Sequence, residues 1–62
     1  MDQDLQREYF ARAAQLLGGN EATARILDIS SRSLRSFISG ERRLHSGILK
    51  DIAAALIAHA DA

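Results

Sequence analysis

Between Asn20 and Gly40 the small and apolar residues Ala24, Ile29, Leu34 and Ile38 fall where two short helices joined by a tight turn must face inward. The same stretch, NEATARILDISSRSLRSFISG, leaves Arg32, Ser33, Arg35 and Ser36 on the outer side of the second helix. A helix that shows two arginines and two serines to solvent is shaped for an anionic or hydrogen-bonding partner. The remaining segments read as support for that pair.

Sixty-two residues hold one small domain, taken here as 1–62, and a core of that size is marginal by itself. There is no cysteine for a disulfide staple, so stability must come from well-packed helices or from a partner chain. The absence of proline and the abundance of Ala, Leu, Arg and Gln predict an all-α domain of four helices. The first helix is expected from about Asp2 or Asp4 to Leu17, with acidic residues at its positive pole. Its apolar stripe is Leu5, Tyr9, Phe10, Ala13, Ala14, Leu16 and Leu17, and Gly18-Gly19 ends it. Tyr9 and Phe10 are read as packing edge and core rather than as a ligand box.

Asn20 is the expected N-cap of a second helix reaching Leu27, and Asp28-Ile29-Ser30 the turn. Ser30 can cap a third helix, Ser31 to Ser39, whose buried side is Leu34, Phe37 and Ile38 and whose stop is Gly40. Leu44 anchors the following loop. The last helix is expected from Ser46, with the Ser46 hydroxyl as its cap, to about Ala60. It is apolar over more than one face. Leu49, Ile52, Ala53 and Leu56 are assigned to the core, which leaves Ile48, Ala55 and Ile57 partly exposed as a self-association stripe.

Net charge is zero overall but uneven along the chain. Residues 1–28 carry Asp2, Asp4, Glu8, Glu21 and Asp28 against Arg7, Arg12 and Arg25, a net of −2. Residues 29–50 carry Arg32, Arg35, Arg42, Arg43 and Lys50 against Glu41, a net of +4, and Asp51 and Asp61 return the total to zero. A basic centre between acidic flanks fits one face meant for an anionic partner, and not a protein that coats DNA indiscriminately.

The B-DNA major groove admits an α-helix and shows it a distinct pattern of donors and acceptors. Arginine suits guanine because its planar fork bonds O6 and N7 together. Ser31, Arg32 and Ser33 form the half of the helix that would enter the groove, with Arg35 and Ser36 one turn on. Arg42 and Arg43 would lie near the backbone or extend the base contacts. Asn20 would direct the N–H groups at the start of its helix toward a phosphate.

Residues 20–44 resemble the helix-turn-helix of the Cro/CI-type, lambda-repressor-like (XRE-type) DNA-binding family. The likeness rests on Ala24, Ile29, Leu34, Ile38, Gly40 and Leu44, with the helix-turn-helix itself at about 20–40. It implies a small four-helix domain of that family and a phosphate contact at Asn20. It also implies base contacts from Ser31, Arg32, Ser33, Arg35 and Ser36, with Arg42 contributing just beyond the helix. Where the family often has glycine in the turn, this chain has Asp28, and it lacks room for the fifth helix that often makes the dimer contact. The spare apolar surface of the last helix takes that role in this reading.

The expected function is therefore a sequence-specific transcriptional regulator of double-stranded DNA, a homodimeric repressor on a near-palindromic operator, bacterial or phage-encoded and cytoplasmic. The alternative is a small helical interaction module, an adaptor or inhibitor without DNA, for which the neutral charge and the apolar last helix speak. An enzyme is not expected. There is no cysteine and no glycine-rich phosphate loop, and His45 and His59 lie fourteen residues apart without a carboxylate at ligand spacing. No metal, cofactor, small-molecule ligand or membrane segment is expected.

Overall fold

The computed structural model describes residues 2–61 as four helices: α1 (Gln3–Leu16), α2 (Asn20–Leu27), α3 (Ser31–Ser39) and α4 (Ser46–Asp61). No strand occurs among the described residues, and none of the helices is long and apolar enough to cross a membrane. α1 and α2 each pack against all three other helices, whereas α3 rests on α1 and α2.

α1 begins where the Asp2 carboxylate accepts the Asp4 N–H at 3.1 Å. It buries Phe10, Ala13 and Ala14, and Leu17 just past its end joins them. Leu5, Tyr9 and Leu16 are exposed. At 100° per residue they lie roughly 120° round from Phe10, so the broad apolar stripe read from sequence is really two neighbouring faces, of which one is covered.

Gly18 and Gly19 both take positive φ, +108° and +105°, and the Gly19 N–H closes the end of α1 on the Ala14 carbonyl at 2.9 Å. That places Gly19 at the cap position of α2, where its carbonyl accepts the Thr23 N–H. Asn20 is thus the first helical residue and not the cap expected for it. The buried Thr23 hydroxyl completes the joint. It lies 2.7 Å from the Gly19 carbonyl and 3.1 Å from the Ala14 carbonyl, tying α2 to the last turn of α1.

The α2–α3 turn matches its expected limits. Asp28 adopts the left-handed conformation at φ 57°, which lets the Ile29 N–H bond the Ala24 carbonyl at 2.9 Å. Ser30 then caps α3, its hydroxyl oxygen accepting the Ser33 N–H at 3.0 Å. Leu34 and Phe37 point into the core, Ile38 packs at its edge, and Gly40 ends the helix. The Phe37 ring sits 6.0 Å from that of Phe10.

Two corrections concern α4. Its cap is His45, whose Nδ1 accepts the Ile48 N–H at 3.2 Å while its carbonyl accepts the Leu49 N–H. Ser46 is already helical. The covered face is also rotated from the expected one. Ile48 is only 5% exposed and belongs to the core with Ile52, while Ala55, Leu49 and Leu56 pack against it. Of the proposed self-association stripe Ile48, Ala55 and Ile57, only Ile57, at 64%, is open. Leu44, buried just ahead of the helix, sets this register by fixing how α4 enters the core.

Two stability outcomes follow from these contacts. Thr23→Val, which keeps shape but loses the hydroxyl, should lower the unfolding free energy by about 1 kcal/mol in urea melts. An unchanged midpoint would mean that the hydroxyl does not hold the α1–α2 joint. Ile48→Ala should cost about 2–4 kcal/mol as a core cavity. Ile57→Ser should stay within about 0.5 kcal/mol at a concentration where the chain is monomeric. Equal effects at the two positions would contradict the observed rotation of α4.

Candidate nucleic-acid interface

α3 carries its polar residues on the side turned away from α1 and α2. Arg32 and Arg35 are exposed, and Ser31, Ser33 and Ser36 are half-buried at the margins. Arg32, Arg35 and Ser36 line one shallow cleft of about 350 Å³ together with Ser39 and Glu41. Both ion pairs among the described residues lie within α1, Arg7 with Asp4 and Arg12 with Glu8. The guanidinium groups of Arg32, Arg35, Arg42 and Arg43 therefore have no carboxylate partner there. An unpaired guanidinium keeps all its donors for a ligand.

The serines differ in what they can offer. Ser36 Oγ donates back to the Arg32 carbonyl at 3.1 Å, so toward a partner it presents lone pairs. Ser30 Oγ donates to Ser33 Oγ at 3.0 Å, which leaves the Ser33 proton free to be given elsewhere. Ser31, the first residue of α3, and Ser33 stand in the first turn, where backbone N–H groups also point outward. Ser33 is thus equipped as a donor and Ser36 as an acceptor, with two arginine forks between and beside them.

The loop after α3 is held from three directions. The Arg42 N–H bonds the Ser36 carbonyl at 3.1 Å, and the Arg42 guanidinium lies 5.6 Å from the centre of the Phe37 ring. Leu44 is plugged into the core. Gln3 at the start of α1 pairs with the Leu44 backbone twice, accepting its N–H at 3.3 Å and donating to its carbonyl at 3.4 Å. Arg42 and Arg43 consequently share a second cleft, of about 420 Å³, with Gln3, Asp4, Arg7 and Gly40.

The sequence-derived site residues therefore fall into separate groups. Arg32, Arg35 and Ser36 meet in one cleft and Arg42 and Arg43 in another. Ser31 and Ser33 stand in the first turn of α3, and Asn20 is exposed as the first residue of α2, outside both clefts. Sequence reading missed Arg7. Its i,i+3 spacing from Asp4 signals the ion pair, but its contact with Gly40 is tertiary and leaves no local trace. His45 spends Nδ1 on the α4 cap, and no cluster of three metal-ligating side chains occurs among the described residues. No protein-family model, curated protein or solved structure matches this chain, so its surface chemistry carries the functional reading.

Proposed function

We propose that this chain is a sequence-specific reader of double-stranded DNA, a transcriptional regulator of the Cro/CI-type, lambda-repressor-like helix-turn-helix class that acts as a homodimeric repressor. The observation that carries the proposal is the outer face of α3. Two unpaired arginines, Arg32 and Arg35, share one open cleft with Ser36, on a capped helix whose opposite side is seated on α1 and α2. Arg32 and Arg35 are assigned to guanine edges, Ser31, Ser33 and Ser36 to short-range base or phosphate contacts, and Arg42 to the groove margin. Asn20 and Arg43 are assigned to phosphates.

A dimer reads two half-sites about 34 Å apart, one turn of the duplex. The unit measures 31 × 24 × 18 Å, a size at which two copies side by side bring equivalent α3 helices to that order of separation. With Ile48 in the core, Ile57 is the residue of the proposed stripe left to make such a contact.

Selection from a randomised duplex library, followed by anisotropy titration of the winning sequence, tests the reading. Arg32→Ala and Arg35→Ala should each weaken binding by about 1–3 kcal/mol and relax the preferred base at one position. Arg43→Ala should weaken selected and scrambled duplexes alike and lower the salt slope by about 1. No enrichment, with no binding to any duplex at low salt, would sink the proposal. Sedimentation of the DNA-bound form should give two chains per site, and a single chain on the full operator would remove the dimer.

A further inference from the structure

We infer that Arg7 of α1, with Arg42 and Arg43, forms a site for one DNA backbone phosphate, and that Asp4 competes with that phosphate for Arg7. The inference rests on the DNA-binding reading and adds to it an element outside α2, α3 and their turn. Its basis is the cleft of about 420 Å³ between the start of α1 and the loop after α3. Three arginines line this cleft, and Asp4 is the one acidic residue that does so.

Mutual repulsion would spread three such flexible side chains apart if nothing held them. Here the backbone holds them together. Gln3 clamps Leu44 to the start of α1, and the Arg42 N–H is bonded to Ser36, so the segment carrying Arg42 and Arg43 cannot swing away from Arg7. Arg7 lies at the same opening. Its side chain is 34% exposed, it is paired with Asp4, and its guanidinium lies against Gly40 where any Cβ would collide with it. Three cations and one carboxylate leave a formal excess of two positive charges around one opening. A phosphate with several acceptor oxygens is the partner that satisfies several forks together.

The location fits the backbone beside the groove that α3 would read. Glu41 lines the α3 cleft, and its neighbours Gly40 and Arg42 line this one, so the two openings adjoin across a single residue.

Arg7 also has a purely structural role open to it, because a cation beside the C-terminal end of α3 favours the helix dipole. Opposite charge changes separate the two roles. Arg7→Gln and Asp4→Asn both abolish the ion pair, but only the second leaves the cation. Affinities of wild type, both variants and Arg7→Lys are measured on the selected duplex and a scrambled one from 50 to 200 mM salt, with unfolding midpoints alongside. Arg7→Gln is expected to lower the slope of log affinity against log salt by about 0.9, so that its deficit shrinks roughly 3.5-fold over that range, equally on both duplexes. Asp4→Asn is expected to tighten binding several-fold at 50 mM, and Arg7→Lys to keep the wild-type slope. If Arg7→Gln and Asp4→Asn weaken binding together, or neither changes it, the phosphate site is overturned while the DNA reading stands. If the wild type binds no duplex at all, both fall.

Discussion

Thr23 carries the buried hydroxyl on which the seating of α2 depends. It is the buried polar side chain among the described residues, and its proton is committed to carbonyls at the end of α1 and at the cap of α2. Burying a hydroxyl without such partners would cost about 1–3 kcal/mol, a large share of what so small a core can supply. Because the bond crosses from one helix to the next, it fixes where α2 lies on α1. Ala24, the next residue, is buried and presents only a methyl group, so α3 can pack closely over it. The exposed arginine face is thus set by a bond on the far side of α2.

α3 was legible in the sequence because every device that defines it is local. Ser30 supplies the cap, Leu34 and Phe37 repeat at helical spacing, and Gly40 is the residue that tolerates φ +92°. Asp28 fits the same account. Its left-handed geometry is uncommon for a residue with a Cβ, yet Asp is among the types that reach it most readily. The exposed positions of Arg32 and Arg35 followed from the same periodicity. What stayed hidden was decided across the chain. The Gln3 bonds to Leu44 span forty-one residues and settle how the loop meets α1. That entry rotates α4 and buries Ile48, where helical periodicity alone put Leu49 in the core and left Ile48 outside. His45 as a cap was hidden for another reason. Histidine is a poor cap by preference, and only the bond between its ring and the Ile48 N–H reveals the role.

The distribution of ion pairs has physical content of its own. α1 matches each of its arginines to an acid three or four residues away, whereas α3 and its loop do not. Exposed pairs of this kind add little stability, so the contrast matters less for folding than for what remains available at the surface. Arg42 is an intermediate case. Its guanidinium lies over the Phe37 ring, which favours one position for the charge without neutralising it. A side chain already restricted in this way loses less freedom when a ligand engages it.

In the DNA-binding reading, the acids near the basic clefts bear on specificity. A reader must bind its own site much better than any other, and phosphate contacts raise both affinities alike. Asp4 beside Arg7 subtracts from that shared term, as do the acidic flanks that bring the chain to neutrality. Glu41 lines the α3 cleft but is not ion-paired with Arg32 or Arg35, so those forks keep their full donor sets. The loss falls on contacts that carry no sequence information. A carboxylate at the phosphate margin, as Asp4 is, would thus exchange overall affinity for discrimination. A small domain with only a short helix to read bases has particular need of that exchange, because each good base contact contributes only about 1–3 kcal/mol.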